Sequence, residues 1–351
     1  MPNANQDIQR PIIITPNKQK GFPTFLKWIL GCFGSCFILT VFSVFVLSII
    51  SVGFASLFAT TTQETEIQSG SNKSKIVIIP ISGMILDDYG NDGDVFSSTA
   101  GVTPTKVISL LDAAAKDNTV KAIILRENTP GGSVSGVRKI CDKVISVNKN
   151  KPVYSYIESE GASAGYYLAS CSKYIIADEQ AITGSIGVIV NITDVQGLLD
   201  KLGIKTKVIT NTQGTSKEPD YFVNNSKDEQ RLKQILDQIF EGFLAQVKSG
   251  RDTAQGSKAL SVDKIKTLAT GEIFSGKQAK ANGLVDDTGT LAQAVKIILE
   301  KEVSISSNSQ VVQYNVSSGL FGGFASSLRS LVGLNTINLS GQNTGFYAIR
   351  Q

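Results

Sequence analysis

Short β-rich runs alternate with helical patterns along the middle of the chain, and this alternation constrains the fold more than any other feature. The predicted strands are 75–81, 121–126, 152–158, 174–177 and 206–209. The predicted helices are 105–116, 134–147, 163–171, 195–202, the long amphipathic segment 226–250, 276–281 and 291–299. Such alternation is typical of βα units on a mostly parallel sheet, so we expect an α/β fold.

The segment 28–58 consists almost wholly of apolar or small residues, and no charged residue occurs between Trp28 and Gln63. About 20 apolar residues suffice for a helix that spans a bilayer. A cleavable signal peptide would have a shorter apolar region of roughly 7–15 residues. We therefore predict one transmembrane anchor over residues 28–58, in contact with the lipid bilayer.

Charges on the two sides of this anchor predict its orientation. Arg10, Lys18, Lys20 and Lys27 precede the anchor, whereas the acidic residues Glu64 and Glu66 follow it. Positive charge accumulates on the cytoplasmic side of membrane proteins. We therefore expect residues 1–27 to form a cytoplasmic tail and the rest of the chain to lie on the extracytoplasmic side.

Composition divides the remaining chain into three parts. Residues 59–74 are polar and predict a linker, and residues 75–302 hold the strand and helix patterns. Residues 303–351 form a Ser/Asn-rich tail, in which the apolar segment 319–334 indicates a helix for a partner subunit or for the membrane surface. The net charge of +4 includes no Lys/Arg block with interleaved aromatic residues, so we expect no nucleic-acid partner.

The chain contains no histidine, which excludes the Ser-His-Asp triad and zinc sites built on imidazole. A serine nucleophile would need another base, and lysine is the recognised substitute. Cys141 and Cys171 lie in predicted helices without further metal ligands nearby. Buried free thiols are the favoured interpretation, and a disulfide between these two cysteines is the alternative.

Two glycine-rich turns each follow a predicted strand and open a predicted helix. They are NTPGG, residues 128–132, and GASAGYY, residues 161–167. The first N–H groups of a helix have no helical partner, and the helix dipole favours negative charge there. Two such turns facing each other could form an oxyanion hole beside Ser163. Spacing alone is explained equally well by ordinary turns with Ser163 as a plain N-cap.

Five segments in order give the chain a resemblance to a known family. They are VKAIILR (120–126), NTPGG (128–132), ASAGYY (162–167), TGSIGV (183–188) and GLVD (283–286). Together they resemble signal peptide peptidase A in its short bacterial form, a group of Ser-Lys peptidases in the protease IV family. The similar stretches run over most of residues 75–300, and the preceding anchor fits the same layout.

The resemblance implies an α/β fold of the crotonase/ClpP-like type, a repeated ββα superhelix, and serine endopeptidase activity without metal or cofactor. By position, Ser163 is the implied nucleophile and Lys217 the implied general base. Backbone N–H groups of Gly131, Gly132 and Ser163 would form the oxyanion hole, and Ser185 would orient the lysine. A lysine base needs a dry site that lowers its pKa from about 10.4, so we expect activity to rise to an alkaline plateau.

The resemblance also implies a biological role at the bacterial cell (inner) membrane. The peptide substrates would be cleaved signal peptides, degraded through an acyl-enzyme. A homo-oligomer would build each active site from Ser163 of one chain and Lys217 of its neighbour. Two alternatives stay open: a related Ser-Lys peptidase that acts on another membrane protein of the stomatin type, and a catalytically inactive membrane scaffold. A crotonase-type acyl-CoA enzyme would share the fold but not the anchor or the Ser-Lys pair.

Overall fold

The computed structural model describes residues 61–88, 101–205, 226–253, 259–302, 305–317 and 347–348. The chain divides into two units, residues 1–59 and 60–351, and every described residue belongs to the second. The expected anchor, the predicted strand 206–209, Lys217 and the apolar segment 319–334 lie outside the described residues. No helix within the described ranges is long and apolar enough to cross a membrane.

The elements follow the predicted alternation. The described strands are β1 (Thr61–Gln68), β2 (Ser71–Ser82), β3 (Met84–Ile85), β4 (Gly101–Val102), β5 (Val120–Thr129), β6 (Gly132–Ser133), β7 (Val153–Ala162), β8 (Tyr174–Ala177), β9 (Ile182–Gly184), β10 (Ile273–Ser275), β11 (Asp287–Thr288), β12 (Ser309–Ser317) and β13 (Tyr347–Ala348). The described helices are α1 (Pro104–Lys116), α2 (Val134–Asn148), α3 (Ala164–Ala169), α4 (Gln196–Lys201), α5 (Ser226–Thr253), α6 (Val262–Leu268), α7 (Gly276–Asn282) and α8 (Leu291–Lys301).

The main sheet has the strand order β1-β12-β2-β5-β7-β8-β11, and β9 pairs with both β7 and β10. Its central pairs, from β12 through β11, are all parallel. Ile79 and Leu125 belong to the apolar cluster shared with α1 and α2, whereas Ile78 and Ile124 pack in the cluster shared with α8. Burial on both faces explains why these strands are continuous apolar runs. The prediction of an α/β fold is confirmed, and its crotonase/ClpP-like form stays a prediction.

The interpretation of residues 59–74 as a linker is wrong. Residues 61–68 form β1, which pairs antiparallel with β12, and β2 begins at Ser71. β12 itself lies in the stretch expected to be a tail, and it joins β1 to β2. The sheet therefore extends beyond both boundaries expected for the peptidase domain, 75 and 302. Because β1 is an exposed edge strand, its polar composition resembles that of a linker.

The predicted long helix 226–250 is confirmed as α5. Its apolar face buries Phe243 and Val247, which are four residues apart, as a helical period requires. Near its end, the buried Arg251 forms an ion pair with the buried Asp286 and also donates from Nε to the Gly283 carbonyl at 3.1 Å. The GLVD segment therefore holds the end of α5 against the sheet.

Candidate active site

The carboxyl ends of three parallel strands meet at one place in the sheet. Thr129 of β5 pairs with Gly161 of β7, and Ala162 of β7 pairs with Gly184 of β9. The chain leaves each strand just after these paired residues. The two glycine-rich turns and the TGSIG segment, which are far apart in sequence, are therefore neighbours.

Ser163 and Ser185 directly follow the paired residues Ala162 and Gly184, so they occupy equivalent positions at the ends of adjacent strands. Both have a positive φ, of 54° and 50°, which side chains other than glycine rarely adopt. A non-glycine residue in an unfavourable backbone region costs on the order of 1–3 kcal/mol and is typical of functional sites. The structure thus brings together the implied nucleophile and the residue implied to orient its base.

Ser163 is not a plain N-cap, although it directly precedes α3. Its hydroxyl makes no capping hydrogen bond to α3. The residue is only 1% exposed, and Oγ has no hydrogen-bonding partner within the described part of the chain. A buried hydroxyl without a hydrogen-bonding partner costs about 1–3 kcal/mol of folding free energy. The position of this side chain therefore does not stabilise the fold, but it suits a catalytic nucleophile.

The first glycine-rich turn needs its glycines. A Cβ on Gly132, where φ is 147°, would lie 2.1 Å from the carbonyl oxygen of Ile85. On the preceding residue, Gly131, φ is 111°. The N–H of Gly131 donates to Thr129 Oγ1 at 3.2 Å, and its carbonyl accepts from the Ile85 N–H at 2.8 Å. These contacts fix the turn at the end of β5, beside Ser163.

Two of the three expected oxyanion-hole donors, the N–H groups of Ser163 and Gly131, already donate within the protein. The N–H of Ser163 donates to the Gly184 carbonyl at 2.9 Å, so it is not free for a substrate. The N–H of Gly131 is likewise directed to Thr129. Ala164 is the first residue of α3, and its N–H has no acceptor within the helix. The sequence signal for this N–H was the position of Ala164 directly after Ser163, at the start of a predicted helix.

A disulfide joins α2 to the segment that follows α3, and both helices begin at the site. Cys141 of α2 and Cys171, two residues beyond α3, are bonded, with 5.6 Å between their Cα atoms. The expectation of free thiols is therefore wrong. The sequence could not decide this, because the two cysteines become neighbours only when α2 and α3 pack side by side.

An apolar cavity of about 210 Å³ opens beside Ala164. It is lined by Val134, Val137, Ala164, Tyr167, Val188, Ile239, Gly242 and Phe243, together with the exposed Arg138 and Gln238. Tyr167 and Phe243 contact each other with ring centroids 5.2 Å apart. Because Ala164 follows Ser163, this cavity is placed to receive an apolar side chain close to the nucleophile.

A short strand from the C-terminal part of the chain pairs with the first glycine-rich turn. Tyr347 pairs with Ser133 and Ala348 with Gly132, in antiparallel orientation. The β6 edge thus accepts an extended backbone directly beside the candidate site. This is the geometry by which a peptide adds to an exposed sheet edge.

Lys217 lies outside the described residues, so its role and that of Ser185 as its partner stay predictions. Within the described ranges, no group of three or more Cys, Asp or Glu side chains is arranged to hold a metal ion.

Comparison with known proteins assigns the family. Residues 146–305 match Peptidase family S49. A protein of Methanocaldococcus jannaschii named as a candidate protease, MJ0651, is 30% identical over 287 residues, which cover 81% of this chain and 88% of that protein. A protein of Enterococcus faecium named as a candidate signal peptide peptidase SppA is 29% identical over 272 residues, covering 76% and 73% of the two chains.

Other proteins match over smaller shares of this chain. Protease 4 of Haemophilus influenzae is 31% identical over 224 residues, which cover 63% of this chain but 34% of that protein. A solved structure of the S97A mutant of the 1510-N membrane-bound stomatin-specific protease has a TM-score of 0.45 at 15% identity, covering 70% of this chain and 99% of that one. That structural likeness is too low to decide between functions. The sequence matches suffice to conclude that the chain belongs to peptidase family S49, alongside the SppA-type proteases.

Proposed function

We propose that this protein is a membrane-anchored serine endopeptidase that uses a Ser163–Lys217 dyad to degrade cleaved signal peptides. The observation that carries the proposal is Ser163 itself. Its hydroxyl is buried and has no hydrogen-bonding partner among the described residues, and the residue has a positive φ at the start of α3. In a member of a peptidase family, such a serine is suited to be the nucleophile of peptide hydrolysis.

In the proposed reaction, Ser163 Oγ attacks the peptide carbonyl carbon while its proton passes to the neutral amine of Lys217. The carbonyl oxygen becomes an oxyanion, which the N–H groups of Gly132 and Ala164 stabilise. Collapse of this intermediate breaks the C–N bond, and Lys217 returns the proton to the leaving amine. Water then attacks the Ser163 ester with the same lysine as base, releasing the acid and restoring the serine.

Two features of the site support an extended, apolar peptide as substrate. The β6 edge pairs with an extended backbone, as it does with Tyr347–Ala348. The cavity beside Ala164 has an apolar lining that suits the side chains in the apolar region of a signal peptide. The name of the Enterococcus relative, a signal peptide peptidase, agrees with this substrate class.

The disulfide supports an extracytoplasmic location for the catalytic unit. Disulfides persist in oxidising compartments and are rare in the cytosol. The bond between Cys141 and Cys171 therefore agrees with the orientation inferred from the charges beside the segment 28–58. The proposal also includes a homo-oligomer, in which Ser163 and Lys217 of one active site come from neighbouring chains.

A serine-directed acylating inhibitor tests the proposal. The purified full-length protein should be labelled on Ser163, as located by mass spectrometry of its peptides. Ser163→Ala should take up no label, and Lys217→Ala should be labelled far more slowly. Labelling that is absent from the wild-type protein would favour the inactive scaffold instead. Profiling with signal-peptide and stomatin-derived peptides would then define the substrate of an active enzyme.

A further inference from the structure

Glu127, near the end of β5, is a fully buried carboxyl that the proposed reaction does not use. Its Oε1 accepts a hydrogen bond from Ser155 Oγ at 2.6 Å, and Ser155 Oγ lies 3.0 Å from Ser172 Oγ. Its Oε2 has no hydrogen-bonding partner within the described part of the chain. An acidic side chain is rarely placed in this way unless it is paired.

The partnerless oxygen lies beneath the first turn of the nucleophile helix. A Cβ on Gly165, two residues after Ser163, would be 3.8 Å from Glu127 Oε2 and 2.8 Å from the Thr129 methyl group. Thr129 lies on the same face of β5 and holds the N–H of Gly131. The Glu127 carboxyl therefore lies within van der Waals reach of the first turn of α3, next to Thr129, which contacts both glycine-rich turns.

Among the described residues, none places an opposite charge beside Glu127. Its strand neighbours are Ile81 on β2 and Ile157 on β7. Arg126 and Glu158, the nearest charged residues of β5 and β7, pair with each other at 2.6 Å on the other face of the sheet. Among the described residues, burial raises the pKa of Glu127 to about 8, and the hydrogen bond from Ser155 offsets part of that rise.

The helices on this face add no charge beside the carboxyl either. The titratable groups of α3 are two tyrosines, of which Tyr166 donates to the Leu284 carbonyl at 2.8 Å and Tyr167 packs on Phe243. The charged residues of α2 are the exposed Arg138, Lys139 and Asp142, and Lys143, which pairs with Asp112 of α1. Burial therefore favours the protonated form of the Glu127 carboxyl at neutral pH.

We propose that Glu127 is a positioning residue that must keep its proton for the Ser163 site to work, so that its ionisation ends activity at alkaline pH. A negative charge under α3 would oppose the growing oxyanion beside Ser163. The same charge would favour the protonated form of the lysine base, which is inactive. The alkaline plateau expected from a lysine base alone then becomes a maximum. This inference rests on the proposed serine peptidase function.

The rate of Ser163 labelling by a fluorophosphonate tests the inference in the full-length protein from about pH 6 to about pH 10. The wild-type rate should rise and then fall about tenfold per pH unit above the titration midpoint, which we expect near 8. Glu127→Gln, which has the same shape but cannot ionise, should rise to a plateau without the fall. Glu158→Gln, a matched acid-to-amide change on the other face of the sheet, should retain the wild-type profile.

A second variant decides the question if Glu127→Gln does not fold. Ser155→Ala removes the hydrogen bond that favours the ionised carboxylate, so the alkaline fall should move to higher pH. Merely structural damage would lower the rate at every pH without moving the fall. A Glu127→Gln profile that falls as the wild type does, or an unmoved fall in Ser155→Ala, would overturn the role of Glu127. A wild-type protein that is never labelled would instead count against the serine peptidase function on which the inference rests.

Discussion

The disulfide gives the sharpest quantitative expectation for stability. Replacing both cysteines, Cys141→Ala with Cys171→Ala, releases a loop whose ends are 30 residues apart in sequence. The chain-entropy relation for a loop of this length predicts a loss of about 3.6 kcal/mol at 25 °C. That is a large part of the roughly 5–15 kcal/mol by which most domains are stable. Because α2 and α3 begin at the two turns of the site, we expect activity to fall before the fold is lost.

Equilibrium unfolding in guanidinium chloride, followed by circular dichroism on the full chain in detergent, measures this loss. Wild-type protein in reductant should match the double variant, and reductant should leave the double variant unchanged. Replacing the other two cysteines, Cys32 and Cys36, with alanine is the matched control and should retain the wild-type response to reductant. A loss below about 1 kcal/mol would refute the loop-entropy argument, since the predicted value is more than three times larger.

Three other expectations follow from the site. Ser163→Ala and Lys217→Ala should each lower peptide hydrolysis by at least about 10³-fold without loss of the fold. If the site is shared, mixing the two variants under subunit exchange should restore part of the activity. Zero recovery with verified exchange would place the site within one chain. Because the pKa of Glu127 is raised from 4.5 to about 8, the unfolded state loses its proton first, so native stability should fall as pH rises between these values, by about 3 kcal/mol at pH 7. Glu127→Gln should abolish that slope in unfolding experiments, and an unchanged slope would show that another group causes it. Removal of residues 346–351 should lower KM with little change in kcat, because Tyr347–Ala348 occupies the β6 edge; an unchanged KM would mean that substrate does not bind there.

Local patterns predicted the buried framework well. The strands that became β2, β5, β7 and β8 were recognisable because apolar runs flanked by turns need no information from distant residues. The 3.6-residue period likewise predicted α1, α2 and α5. The strands β1 and β12 were missed, because they pair with each other across more than 240 residues of sequence and β12 also needs the distant β2 as its second neighbour.

The sequence by itself determined the α/β class, the two glycine-rich turns and, through five ordered segments, the family and the serine that opens α3. Those properties depend on residue type and short spacing. Only the tertiary structure decided that Cys141 bonds to Cys171, that the Ser163 N–H donates to the Gly184 carbonyl, and that Glu127 is buried with no opposite charge beside it among the described residues. Each of these features depends on groups that are far apart in sequence and become neighbours only in the folded protein. A hydrogen bond, a disulfide and the surroundings of a buried carboxyl are all set by which groups lie close together there.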